Sequence, residues 1–427
     1  MSRSTFSTRY LVLAIVLLML VSIVNVADKE LLAPVVDAVK VDLDLNDTQI
    51  GLIRSSVFLA ALLGQLFWGP LSDRWVRKYI IAIGTVIWSG LTWMTAFVTG
   101  FSGMLLARAS MSFAEGCFNP SAYALLTDST PKRRHGLILG LMSLTYPVGT
   151  AAALVVASLI GTQNWRQPFK IYGVIGLFLG ILVLWLIREP QRGASEEAVE
   201  AVEGVYTGRF SFKEFRKVLA IPTVLLTFGL DTCQASVNWS FAFWAPTYLT
   251  RYGIAPNSEM AALALLPAIL GFVFGAVIGG LLIDRLRHRT PSAPLWISLA
   301  AMVGGLVMAL LVFNLFQLVW LMTAAFFLGL VTYMVMPAVS IIFFSVVPPE
   351  TKASTIAASN VVLNLVIAVL SIAIGWFSDL TELRWAFGGV ILLMYAVGIL
   401  VVLLLMRTYP RDMEKRDALV ENRVEVE

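Results

Sequence analysis

Twelve apolar stretches, each able to supply the roughly 20 residues that cross a hydrocarbon layer, leave this chain almost no freedom of fold class. They run approximately from 10 to 37, 48 to 71, 79 to 99, 103 to 126, 136 to 160, 168 to 187, 219 to 249, 260 to 283, 294 to 313, 317 to 346, 353 to 377 and 384 to 406. A bilayer offers no water to backbone N–H and C=O groups, so such stretches close their hydrogen bonds internally, as helices. The overall composition agrees, since 58% hydrophobic and 14% charged residues over 427 positions give too few charges to cover a soluble globule of this size. The expected fold is therefore all-α and membrane-embedded. The second stretch has a start signal of its own, with Asn46 as N-cap and Gln49 three residues later. No small-residue cleavage site follows the first stretch, so that segment is expected to remain as a span and not to leave as a signal peptide.

Lys and Arg in the loops set the orientation. With the N-terminus inside, the cytoplasmic segments hold 23 of the 31 basic residues, the opposite loops hold 5 (Lys40, Arg166, Lys170, Arg251, Arg384), and 3 (Lys29, Arg54, Arg108) fall within spans. Both termini are expected in the cytoplasm, as in a bacterial inner membrane. This bias toward the anionic inner leaflet accounts for the net charge of +4 without a nucleic-acid partner.

One long interior loop divides the spans six and six. The expected division is a bundle over 1–187, a cytoplasmic linker over 188–218, a second bundle over 219–406 and a cytoplasmic tail over 407–427. Within the linker, Phe212, Phe215 and Leu219 recur at helical spacing and predict a short helix on the inner surface. The halves repeat each other. GPLSDRWVRK (69–78) after the second span and GLLIDRLRHR (280–289) after the eighth set Asp73 and Asp284 211 positions apart. VNVADKELLAP and VNWSFAFWAP set Asn25 over Asn238 and Pro34 over Pro246. Twelve transmembrane helices in two pseudo-symmetric six-helix bundles follow.

Charge is distributed unevenly between these halves. Asp28, Lys29, Glu30, Arg54, Arg108 and Glu115 all lie in spans of the first, whereas only Asp231 lies well inside a span of the second. A charge at mid-bilayer costs about 2.5 to 3.5 kcal/mol on insertion scales, so each is expected to face a partner or a wet cavity. Arg108 and Glu115 are seven residues apart, which puts them on one face of a helix about 10 Å apart along its axis. A carboxyl such as Asp28 or Glu115, balanced between desolvation and a neighbouring cation, can gain and lose a proton. Should protonation release Lys29 or Arg108, the freed cation can take an anionic group of a substrate, and linkage makes the coupling reciprocal. The seventh span adds Asn238 and Trp239 with further aromatics, Phe241, Phe243, Trp244 and Tyr248. Asn360 and Asn364 form an i, i+4 pair on the eleventh.

Twelve spans in two halves with G-x-L-x-D-R-x-x-R-K after the second resemble the major facilitator superfamily over essentially the whole chain. In that family the loop acidic residue bonds near a helix terminus of the other half and the bases fasten the inner gate. The resemblance gives those roles to Asp73, Arg74, Arg77 and Lys78, with Asp284 and Arg285 in the repeat, although Val76 stands where many members have Gly. Asn25, Asp28 and Lys29, then Gly51, Ser55 and Gln65, then Arg108, Glu115 and Pro120 resemble the Spinster lysolipid transporters and the anion:cation symporters. PVG at 147–149 and REPQRG at 188–193 lean toward Spinster, and Gln65 toward the anion symporters. Lys29 replaces the usual Arg, a point charge for a bidentate fork. Ala61 replaces a ligand-contacting Tyr of many anion symporters.

Cys117 and Cys233 are isolated and form no disulfide framework, His135 and His288 lack a second metal ligand nearby, and no P-loop sequence appears. Gly275 and Gly279 are expected to serve close packing inside a bundle. No nucleophile, base and orienting residue occupy neighbouring spans, so an enzyme is not expected. The combined expectation is a monomeric, proton-coupled symporter without a cofactor, driven by the proton gradient, that moves an organic anion with an amphipathic body. Its site residues would be Asp28 and Glu115 for the proton, and Lys29, Arg108, Asn25, Tyr146, Asp231, Asn238, Trp239, Asn360 and Asn364 for the substrate. Within that reading the alternatives are uptake of a small polar carboxylate, suggested by Gln65, and a Spinster-like lysophospholipid transporter, suggested by REPQRG and the aromatic seventh span; a non-transporting membrane sensor is the alternative of a different class.

Overall fold

The computed structural model describes residues 7–130, 135–161, 163–190, 216, 218–347 and 351–424. Among these the regular structure is helical. The first half forms α1 (Thr8–Glu30), α2 (Val36–Leu43), α3 (Asp47–Arg74), α4 (Arg77–Thr95), α5 (Phe101–Glu115), α6 (Phe118–Ser129), α7 (His135–Ser143), α8 (Thr145–Gly161) and α9 (Arg166–Leu186). The second forms α10 (Pro222–Arg251), α11 (Ser258–Arg287), α12 (Ala293–Asn314), α13 (Leu318–Val346), α14 (Lys352–Leu380) and α15 (Leu383–Val424). The chain divides into two compact units, Met1–Tyr206 and Thr207–Glu427.

All twelve expected spans fall on helices, and nine helices among the described residues are long and apolar enough to cross a membrane. The other three expected spans lie on α4, on α5 with α6, and on α10. There the helix is rich in buried hydroxyl groups (Thr85, Ser89, Thr92, Thr95), is interrupted directly after Glu115, or carries Asp231, Gln234 and Asn238. The predicted start of the second span is a complete capping box, with Asn46 Oδ1 accepting from the Gln49 N–H and Gln49 Oε1 from the Asn46 N–H.

Three spans of the first unit are broken, and each break lies four residues before a proline. Pro34 lacks the N–H that would reach the Glu30 carbonyl, and α1 ends at Glu30, with a 3-10 turn over Ala33–Val35 before α2. Pro120 stands four residues after Gly116, where α5 stops and α6 restarts at Phe118. Pro147 stands four after Ser143, the last residue of α7. In each case the ring removes one i→i−4 hydrogen bond. The first span accordingly continues past its charges, buried through Val36, but as two helices and not one.

Packing repeats between the units at glycines. A Cβ on Gly64 would run into the Phe113 carbonyl oxygen, and one on Gly275, 211 positions later, into that of Leu330. Gly279 meets the Met334 backbone in the same way. Close approach of α11 to α13 is thus what the Gly275 and Gly279 pair provides. At the C-terminus, helix α15 runs past the expected span end at Met406 to Val424. Asp412 accounts for part of this extension, because its Oδ2 accepts from the Thr223 N–H (3.2 Å) and Thr223 Oγ1 (2.8 Å) at the start of α10. The surface helix expected around Phe212, Phe215 and Leu219 lies largely outside the described residues.

Candidate functional site

The site is built on the broken end of α1. A helix terminus leaves its last carbonyls without intrahelical donors and carries a partial negative charge. Two arginines supply the donors here. Arg108 Nη2, from α5, donates to the Asp28 carbonyl (2.8 Å) and the Lys29 carbonyl (3.2 Å), and Arg54 Nη1, from α3, donates to the Lys29 carbonyl (3.0 Å).

The three consecutive charges Asp28, Lys29 and Glu30 each find an opposite partner. Asp28 Oδ1 meets Arg108 Nη1 at 3.1 Å, and its Oδ2 accepts from Thr92 Oγ1 of α4. Lys29 Nζ stands 3.4 Å from Glu115 Oε2 and donates to Asn25 Oδ1 at 3.2 Å. Glu30 takes Arg54 Nη2 at 3.0 and 3.2 Å on its two oxygens. Arg108 also lies over the Phe169 ring at 5.7 Å and reaches Met111 Sδ at 3.0 Å. The expected placement of Arg108 and Glu115 on one helix face has a concrete result: both project onto α1, one on each of two adjacent residues.

The pairs differ in tightness. The side chains of Asp28, Arg108, Glu30 and Arg54 are at most 3% exposed, whereas that of Lys29 is 22% exposed against a fully buried Glu115. Asp28 has three side-chain hydrogen bonds to its carboxyl and carbonyl oxygens, while the contact of Glu115 with Lys29 is a longer, point-charge one. The arrangement therefore holds one fixed ion pair next to one that a competing anion or a proton can open. Tyr146, on α8, is partly buried.

The remaining expected substrate residues belong to the second unit. Asn238 is buried on α10 and borders a small cleft with Phe241, Phe272 and Thr332; Trp239 is partly exposed. Asp231 accepts from Ser359 Oγ at 2.9 Å. Asn364 is turned to its own helix, its Nδ2 donating to the Asn360 carbonyl at 2.7 Å, and Asn360 is exposed. Tyr248 is not an open aromatic lining, because it packs with Phe387 and Phe313, whereas Phe241 packs with Phe387 and also lines the cleft.

After α3, Arg77, the first residue of α4, binds Asp128 of α6 at 2.5 Å and the Ala124 carbonyl at 3.3 Å, so it is tied within its own unit. Arg74 is exposed, Lys78 lies over the Tyr79 ring at 5.5 Å, and Asp284 and Arg285 are exposed on α11. Asp73 lies in the last turn of α3. Glu189, from the REPQRG stretch, caps α4 by accepting from the backbone N–H groups of Arg77 (3.2 Å) and Lys78 (2.9 Å). Sequence reasoning missed the roles of Glu189, Asp128 and Thr92. It also left Glu30 and Arg54 unassigned, though two buried charges of opposite sign on neighbouring spans are themselves a signal for a pair.

Comparison with known proteins decides the family, since the model of the Major Facilitator Superfamily matches residues 18–369. The chain belongs to the major facilitator superfamily. It is 25% identical over 316 residues to Protein spinster homolog 1 of Xenopus tropicalis, covering 70% of this chain and 59% of that protein. It is 28% identical over 291 residues to the probable L-galactonate transporter of Escherichia coli K12, covering 66% and 62%. The chain thus spans about three fifths of the length of these curated relatives. A crystal structure of a bacterial homologue of the human lysosomal transporter Spinster, inward-facing and occupied, superposes with a TM-score of 0.82 at 19% identity, covering 95% of this chain and 99% of that one. The membrane-spanning fold is that of superfamily transporters, which are not enzymes.

Proposed function

We propose that this chain is a proton-coupled secondary transporter of an organic anion, working by alternating access of its two six-helix halves. The observation that carries the reading is the pair of adjacent contacts on α1, a locked Asp28–Arg108 and a more open Lys29–Glu115. Protonation of Glu115 removes the counter-charge of Lys29, and the freed ammonium accepts a carboxylate in its place. Conversely, an anion on Lys29 displaces Glu115, whose buried carboxylate is then without a cation and takes up a proton. Asn25 holds the ammonium in place through both states, and Arg108 stays on Asp28 and on the α1 carbonyls. The coupling is thereby a linkage between one proton and one anion at the same lysine.

A hydroxylated monocarboxylate suits this site better than a lysolipid. Tyr248, which would flank an acyl chain, is occupied by packing with Phe387 and Phe313. The relative named for L-galactonate transport supports the same substrate class. The cleft beside Asn238 keeps the amphipathic reading as the second one. The transporter needs no cofactor beyond the proton gradient, and we place both termini in the cytoplasm with the protein acting as a monomer.

The test is flux into proteoliposomes with L-galactonate, D-glucuronate and a lysophospholipid under an imposed pH gradient. Gradient-driven accumulation of an acid sugar is expected. Glu115→Gln should keep exchange of that solute and lose its accumulation, because a permanently neutral side chain no longer carries the proton. Accumulation at the wild-type level in that variant would remove Glu115 from the coupling role.

A further inference from the structure

Glu30 and Arg54 are the charged pair within the spans that this cycle leaves unused. Both are buried, 1% and 3% exposed. The guanidinium of Arg54 does two things at once: Nη2 meets the Glu30 carboxylate at 3.0 and 3.2 Å, and Nη1 donates to the Lys29 carbonyl at 3.0 Å. The Phe58 ring lies 5.0 Å from it and limits where it can swing. Arg108 Nη2 binds the same Lys29 carbonyl at 3.2 Å. The backbone of Lys29 is thus clamped between guanidinium groups from α3 and α5, at the residue whose side chain pairs with Glu115.

Neutralising Glu30 would require only a positive charge. A lysine at position 54 could provide that, but its single ammonium on a flexible stem lacks the planar fork that serves Glu30 and the carbonyl together. The break before Pro34 is what leaves the carbonyl open, so the clamp acts at the one turn of α1 whose position the helix itself no longer fixes.

We propose that Arg54 is a positioning residue of the anion site: by holding the Lys29 carbonyl it sets where the Lys29 ammonium stands relative to Glu115, and so sets the affinity for the transported anion. The functional half rests on the transport reading above; the positional half stands without it.

Two measurements on Arg54→Lys, which keeps the buried charge balance, test this. The first is labelling of Lys29→Cys by a cationic methanethiosulfonate in reconstituted protein, where native Cys117 and Cys233 are both buried. Adding Arg54→Lys should change the labelling rate by about fivefold or more, as the turn loosens. The second is L-galactonate counterflow. There Arg54→Lys should raise KM about tenfold, the worth of one charge-assisted hydrogen bond, with kcat within about twofold. In a Lys29→Gln background Arg54→Lys should add nothing further. The doubly neutral Glu30→Gln/Arg54→Gln serves as a second variant if Arg54→Lys does not elute as a single species, and the same changes are expected of it. An unchanged labelling rate overturns the proposal whatever transport shows. An unchanged KM in a transporting protein, or an equal KM penalty in the Lys29→Gln background, overturns it as well. Should the wild type move none of the anions, the transport reading falls and labelling still decides the position of Lys29.

Discussion

Three prolines interrupt spans of the first unit, where Pro70 sits inside an unbroken helix (α3), and among the described residues none interrupts a helix of the second. Pro34, Pro120 and Pro147 each coincide with a break four residues upstream, whereas Pro246, Pro267 and Pro337 sit inside the unbroken helices α10, α11 and α13. Pro34 and Pro246 even occupy matching places in the repeat. What differs is the company of the freed carbonyls. In the first unit side chains step in: Arg54 and Arg108 at Asp28 and Lys29, Trp68 Nε1 at Phe113 (3.0 Å), and Thr145 Oγ1 at Met142 (2.6 Å). Proline removes one hydrogen bond in every case, but a helix inside a bilayer opens only where donors replace what water would have given. Charge and breakage therefore go together, because the arginines that complete the broken end of α1 are also the partners of its carboxylates.

The most severe way to break this contrast is to remove the donor that serves both purposes. Arg108→Gln leaves Asp28 buried without its cation and strips the α1 carbonyls, and should cost about 3 to 5 kcal/mol of stability, read as thermal unfolding in detergent. A cost under about 1 kcal/mol would mean that the arginine is not holding the break. A moderate effect should treat the two units alike. Gly64→Ala and Gly275→Ala each drive a Cβ into a facing carbonyl and should each lose about 1 to 3 kcal/mol, the usual range for overpacking. A large inequality between the two would show that the duplicated helix crossings have diverged. The smallest effect is expected at Asp231. Its Asn variant can still accept from Ser359, so Asp231→Asn should change stability by less than about 1.5 kcal/mol. It should also leave pH-driven accumulation in place, measured as for Glu115→Gln. Loss of accumulation there would move part of the proton chemistry into the second unit.

Much of this was legible from the residues because hydrophobic length, loop charge and a 211-residue repeat are properties of single segments. The twelve spans and the membership of Asp28, Lys29, Arg108 and Glu115 in one unit needed no knowledge of helix rotation. Pairing did. Whether Arg108 meets Asp28 or Glu30 depends on how α5 is turned against α1, and the spacing of seven between Arg108 and Glu115 restricts that turn without setting it. The breaks were readable in part, since each proline marks its own lost hydrogen bond, but Pro246, Pro267 and Pro337 carry the same mark inside intact helices. At α1 and α5 the donors that make the difference come from other spans. The cap of Glu189 on α4 was hidden for a similar reason, as it joins residues more than 100 positions apart. The continuation of α15 past Met406 escaped because its polar sequence contains no apolar run and is held by Asp412 at the start of α10.

The six ionic side chains around the end of α1 also form a closed electrical sum. Three are cationic (Lys29, Arg54, Arg108) and three anionic (Asp28, Glu30, Glu115), so the empty site is formally neutral. One proton together with one monocarboxylate leaves it neutral again, whereas either alone leaves an unbalanced charge in a low-dielectric surround. Moving a net charge across 100 mV involves about 2.3 kcal/mol. A carrier that is neutral both empty and fully loaded does no work against that field in either state, and pays the Born penalty only when half-loaded. On the proposed reading, one-to-one symport of a proton and an anion would need no separate gatekeeper, because the dielectric itself disfavours the half-loaded state.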